Sequence, residues 1–161
     1  MNNDLLREML KRHEGKRLKK YRCSANKWTI AHGWNMTANP LPSDIAACLN
    51  LTGEITEDMA ERLLNISIEM STRQCWDIFA GFSGFSERRQ MALIDMTFNL
   101  GAKGVMAFKK MRTAIDKGDW NEAAYQVNDS AYWRELGGDP AGTDDGKLER
   151  PEDIAQMLRE G

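Results

Sequence analysis

The chain has 161 residues, with 22 Lys+Arg against 24 Asp+Glu, a net charge of −2, 42% apolar residues and 29% charged residues. A chain of this length suits one domain, or one domain in two lobes, and buries roughly 70% of its unfolded surface without needing a disulfide or a metal. The balance excludes disorder, collagen and coiled coil, and the lack of a basic excess argues against a nucleic-acid binder and against long-range steering to a polyanionic surface.

From the start of the chain, Leu5, Leu6, Met9, Leu10 and His13 recur at helical spacing, with Asn3 or Asp4 as cap and Gly15 as stop. The opening residues hold no apolar h-region, so no signal peptide is expected, and no run approaches the ~20 apolar residues of a membrane span. Residues 18–34 change character: Trp28, Ile30, His32 and Trp34 alternate with Thr29, Ala31 and Gly33, which predicts one strand. Ser24-Ala25-Asn26-Lys27 before it reads as a hairpin turn, because Asn tolerates the left-handed region. Asn39-Pro40-Leu41-Pro42 then breaks the chain.

Thr56, followed by Glu57 and Asp58, starts a helix whose face is marked by Ile55, Met59, Leu63, Ile66 and Met70. Gly81-Phe82-Ser83-Gly84 interrupts it. Ser86 opens a run, Met91 to Leu100, that is apolar nearly all round and predicts a buried central helix ending at Gly101. Shorter helices follow over 106–116 and 119–129. Residues 137–146, rich in Gly and Asp, read as an exposed, mobile loop, and a last helix runs from Pro151 to near Arg159.

The three cysteines, Cys23, Cys48 and Cys75, make no CxxC, and with only His13 and His32 beside them no metal site is expected. They read as reduced thiols, Cys48 and Cys75 as buried apolar residues on helices. Glu14 follows Leu6 and Leu10 at i+4 steps, beside the apolar stripe, and occupies the last helical turn, where the dipole disfavours negative charge. Both effects raise a carboxyl pKa, as a general acid at neutral pH requires. The same position also suits a plain surface glutamate near a frayed helix end.

The surrounding residues carry a resemblance. His13-Glu14-Gly15-Lys16-Arg17-Leu18, then Tyr21-Arg22-Cys23, then Thr29-Ile30-Ala31-His32-Gly33, resembles the catalytic region of the phage lysozymes of glycoside hydrolase family 24. Eight residues separate Glu14 from Cys23 and five separate Cys23 from Thr29, similar to the family's catalytic Glu, Asp or Cys, and Thr. Gly53 to Glu61, Ala92 to Gly101, Gly118 to Ala124 and Asp129 to Trp133 resemble later family blocks, so the likeness covers nearly the whole chain. The departures are Cys23 where many members carry Asp, Ala31 for a glycine, His32 for an apolar residue, Trp34 for His or Arg, and the absence of a basic charge.

The resemblance implies an α+β, mostly α, lysozyme-like fold in two lobes. Residues 15–55 would form a small β-hairpin lobe, and 56–161 with the N-terminal helix a larger helical lobe, within one lysozyme domain. It implies hydrolysis of the bond between N-acetylmuramic acid and N-acetylglucosamine in peptidoglycan, with no cofactor. Glu14 would be the acid, and Thr29 with Cys23 would position water. Arg150 is similar in place to the arginine that pairs with the catalytic glutamate. A thiol is mostly neutral at pH 7; Lys19, Lys20, Arg22 and Lys27 would lower its pKa, or Cys23 only shapes the site, or it is a plain strand cysteine. Asp95 is either a cleft-facing sugar contact or a core aspartate capping another helix. Phe98 and Asn99 would meet substrate by analogy, with core packing as the other reading of Phe98. His32 is a substrate contact or a histidine hydrogen-bonded within the small lobe, and Tyr132 and Trp133 would pack the large lobe.

The expected protein is a monomer made in the host cytoplasm. It would act on the cell wall in the periplasm after holin-dependent release, with peptidoglycan as partner and without nucleic acid or stable membrane insertion. The alternative is a weak or inactive lysozyme-fold module that attaches a virion or secretion machine to peptidoglycan.

Overall fold

The computed structural model describes residues 3–23, 26–130 and 150–161. Ser24, Ala25, Tyr132, Trp133 and the loop 137–146 lie outside them. The fold is α+β and mostly helical, as expected, and the chain divides into two compact units, Asn3–Met70 and the residues from Ser71 to Gly161.

The first unit opens with α1 (Asn3–Glu14), which buries Leu6, Met9 and Leu10. Asp4 in its first turn and Lys11, Arg12 and His13 in its last complement the helix dipole. Gly15 takes φ 65° and donates its N–H to the Lys11 carbonyl at 3.0 Å, a left-handed cap that suits a residue without Cβ. The sheet follows as β1 (Arg17–Arg22), β2 (Trp28–Ala31) and β3 (Trp34–Asn35), antiparallel in the order β1-β2-β3.

The single strand expected over Trp28 to Trp34 is therefore two. Ala31 takes φ 56° and Gly33 φ 80°, so the chain reverses at His32-Gly33. Alternation of residue type concealed this, because it continues unchanged through a turn whose signal is one glycine and an alanine in glycine's usual conformation. The turn at the other end of β2 behaves as read: Asn26 has φ 55° and donates its N–H to the Cys23 carbonyl at 2.8 Å.

A helix not anticipated, α2 (Ser43–Thr52), follows the predicted break at Asn39 to Pro42. It buries only Ile45 and Leu49, one turn apart, which is too short a stripe to register as a period. These two join Ile30, Ala31, Trp34, Ile55, Ala60 and Leu63 in a core that Leu18, Met36 and Leu41 line.

α3 (Glu57–Ile78) starts where predicted, with Met59 N–H donating to Thr56 Oγ1 at 3.2 Å. Of the expected face, Ile55 and Leu63 are buried and Met59 and Ile66 pack against the core, whereas Met70 is exposed; Ala60, Leu64, Ile68, Ser71 and Cys75 also face inward. The stripe runs through small and polar residues that a hydropathy pattern does not count.

In the second unit α4 (Glu87–Met106) begins at Ser86, whose side chain accepts from Arg89 N–H. Residues 91–97 are all buried, as the apolar run required. Gly101 leaves the helical conformation (φ 68°, ψ 168°), and the helix resumes to Met106. Then come α5 (Lys109–Asp116), α6 (Trp120–Asn128), capped by Asp119 on Glu122 N–H, and α7 (Arg150–Glu160), which starts one residue before the expected Pro151. Trp120 stacks edge-on to Phe85 at 4.9 Å, with the Arg89 guanidinium 4.3 Å from its ring centre. Among the described residues no helix is long and apolar enough to cross a membrane. The compact units place α1 with the sheet.

Candidate active site

Glu14 is the last residue of α1 and is half-buried. The left-handed Gly15 turns the chain directly into β1, so the carboxylate is carried at the junction of helix and sheet. In the sheet, Tyr21 pairs with Thr29 and Thr29 pairs with Asn35, which sets these three on one face in a row across the strands. Thr29 is buried, and its hydroxyl donates to the Lys27 carbonyl at 3.1 Å, leaving oxygen lone pairs to accept a further proton. Cys23 is half-buried and opens the turn into β2, its N–H donating to the Lys27 carbonyl at 3.1 Å.

Tyr21 links these groups electrostatically. Burial raises its phenol pKa above the usual 10.0, the charges of Glu14 and then Cys23 push it the same way, and Arg17 opposes them. The phenol therefore remains a protonated donor at neutral pH, in reach of the fields of both Glu14 and Cys23. Tyr21 stood in the motif without a role. Its only signal in the sequence was the spacing that makes it the cross-strand partner of Thr29.

His32 does not belong to an exposed contact surface: it is buried, and its Nδ1 donates to the Gly15 carbonyl at 2.6 Å. Its Nε2 lies 3.8 Å from Glu61 Oε1, which Lys11 Nζ approaches to 3.1 Å. Burial raises the Glu61 carboxyl, but Lys11, Arg7 and His32 more than offset this and hold it below the usual carboxylate range.

In the second unit Asp95 is fully buried on α4 and binds Arg150 at the start of α7. The contact is bidentate, Nη2 to Oδ1 at 2.7 Å and Nε to Oδ2 at 3.2 Å, with Nη2 also 3.3 Å from the Asp95 carbonyl. Planar guanidinium geometry makes such a fork specific as well as strong. Phe98 and Asn99 are half-buried one turn before the Gly101 break. Among the described residues no group of three or more His, Cys, Asp or Glu side chains is gathered to hold a metal.

The other cysteines differ from each other. Cys48 is half-buried, not buried, with its thiol 3.6 Å from the Glu54 carbonyl. Cys75 is fully buried, and its thiol lies 3.2 Å from Thr97 Oγ1. Burial pushes that thiol from 9.0 up to about 12, only partly opposed by Thr97. We expect a thiol reagent at pH 8 to modify Cys23 and Cys48 in the native protein and Cys75 only after unfolding. Because the folded pKa is the raised one, the stability due to Cys75 is complete below pH 9.0 and falls as pH climbs towards about 12. Rapid Cys75 labelling in the native state would contradict both expectations.

A family model described as "Phage lysozyme" matches residues 11–145. "Probable T4-type lysozyme 2" of Dictyostelium discoideum is 28% identical over 143 residues, covering 79% of this chain and 84% of that protein. "Probable T4-type lysozyme 1" of the same organism is 25% identical over 144 residues, with the same coverage. "Pre-baseplate central spike protein Gp5" of Enterobacteria phage T4 is 29% identical over 150 residues, covering 84% of this chain but 26% of the spike protein.

Proposed function

The chain belongs to the phage lysozyme family, and from that premise we propose that it is a muramidase of the endolysin type. It would hydrolyse the β-1,4 bond between N-acetylmuramic acid and N-acetylglucosamine in peptidoglycan. The observation that carries this reading is the row Tyr21-Thr29 across the sheet beside Cys23, entered directly from Glu14 at the end of α1. Glycoside hydrolysis needs an acid on the leaving oxygen and a poised water or nucleophile on the other face of the sugar. In this reading Glu14 donates the proton, and Thr29 accepts from the attacking water. Cys23 orients that water beside Thr29, and Tyr21 supplies a hydrogen-bond donor. Arg150 keeps the supporting role that the family resemblance assigns it, and Phe98 and Asn99 are the sugar contacts. The protein would act as a monomer on the host wall after holin-dependent release from the cytoplasm.

A second reading is favoured by the likeness to the spike protein: a lysozyme-fold piece of a particle that engages peptidoglycan locally. Purified sacculi separate the two. Release of soluble fragments with new muramic-acid reducing ends is expected from the isolated chain. Binding without release would sink the enzymatic reading.

Cys23 refines the mechanism. Cys23→Asp is expected to keep or raise the rate, because a carboxylate is ionised at neutral pH and offsets the positive charge developing on the sugar ring. Cys23→Ala is expected to lower the rate without removing the acid step. The parent rate should climb with pH more steeply than that of Cys23→Asp, since a thiol helps only as far as it ionises. Equal rates for all three across pH 5–8 would remove Cys23 from the mechanism.

A further inference from the structure

The near-neutral total conceals a segregated charge. Residues 16–27 contain Lys16, Arg17, Lys19, Lys20, Arg22 and Lys27 and no acid, so the remainder of the chain carries −8. Only part of this positive charge is neutralised locally: Lys16 pairs with Glu57, and Lys19 lies 4.0 Å from Glu54. Among the described residues Lys20, Arg22 and Lys27 have no carboxylate partner. Instead, the Lys20 ammonium and the Arg22 guanidinium sit 5.2 and 4.1 Å from the centre of the Trp28 ring, which is itself 38% exposed. Arg22 also donates to the Asn26 carbonyl at 2.7 Å.

The pleat gives this cluster its own face. Arg22 pairs with Trp28, and Tyr21 with Thr29, one position along. Adjacent strand residues point to opposite faces, so Arg22 and Trp28 lie on the other side of the hairpin from the Tyr21-Thr29 row. Stacking on Trp28 holds two cations in place before any partner arrives, which lowers the entropy lost on binding.

We propose that this hairpin face is a docking surface for an anionic polymer bearing carboxylates, namely the peptide stems of peptidoglycan; the identity of the polymer rests on the muramidase reading above. Free carboxylates recur along those stems and match the paired cations Lys20 and Arg22. The rest of the sequence carries −8, so the basic hairpin stands apart from it in charge and helps to orient the encounter. The field of the face reaches about 8 Å at physiological salt, so docking is salt-sensitive.

The test is co-sedimentation of the full chain, carrying Glu14→Gln to prevent digestion, with purified sacculi over a range of salt. Binding is expected to weaken as salt rises. Lys20→Gln, which leaves Arg22 and its bond to Asn26 in place, should weaken binding about threefold at low salt and flatten the salt dependence, whereas Lys27→Gln, next to Trp28 and so on the other face, should change binding less. Lys20→Arg should restore both, which excludes a folding defect. Sacculi whose carboxylates have been amidated should lose the parent's binding. Undiminished binding by Lys20→Gln, equal binding to amidated sacculi, or tighter binding to phosphatidylglycerol vesicles than to sacculi would each overturn the proposal. A parent that docks in this pattern yet never cleaves sacculi would refute the muramidase reading and leave the docking face standing.

Discussion

Glu14→Gln is expected to lower peptidoglycan hydrolysis by about 10²–10⁴-fold, the range that a positioned general acid contributes. The amide keeps the size of the carboxyl and its place at the end of α1, but it has no proton to give to the leaving oxygen. Glu14 is half-buried and ends its helix, so the burial of Leu6, Met9 and Leu10 that secures α1 is untouched. The thermal midpoint should therefore stay near that of the parent while turbidity clearing stops. Clearing near the parental rate by a folded Glu14→Gln would remove Glu14 from the chemistry. A collapsed midpoint would mean that the residue serves the fold.

Asp95→Ala is expected to destabilise the protein by about 3–5 kcal/mol, the cost of removing one partner from a buried ion pair. Asp95 is fully buried and Arg150 nearly so, and two of the guanidinium's bonds go to the lost carboxylate. The Arg150 charge then stays in a low-dielectric surround without that carboxylate. For a chain of this length the loss corresponds to a fall in Tm of roughly 10 °C. Asp95→Ala combined with Arg150→Met should recover much of the loss, because an apolar pair of similar volume pays no charge desolvation. The check is the Tm of the two single variants and the double. A shift below about 1 kcal/mol for Asp95→Ala, or strictly additive losses, would show that the pair is not coupled as its geometry implies.

These two residues mark how far the sequence alone reached. Glu14 was legible because a helical stripe, a stop at Gly15 and a fixed spacing to Cys23 and Thr29 are all local quantities, written in consecutive residues. The starts at Thr56 and Ser86 and the buried run 91–97 were legible for the same reason: caps and continuous apolarity need no knowledge of a partner. Asp95 was visible as an acid in an apolar helix, but its partner Arg150 lies 55 residues away, so only tertiary folding revealed the ion pair. His32 was ambiguous until folding brought the Gly15 carbonyl to its Nδ1. The reversal at His32-Gly33 rests on a left-handed alanine, a conformation imposed by the sheet and not favoured by the residue. The inner face of α3 passes through Ser71 and Cys75 because packing selects by position and size, whereas hydropathy selects by chemistry. Net charge, a sum over the whole chain, averaged away the basic hairpin; strand pairing is what sets Arg22 beside Trp28 and leaves Thr29 on the opposite face.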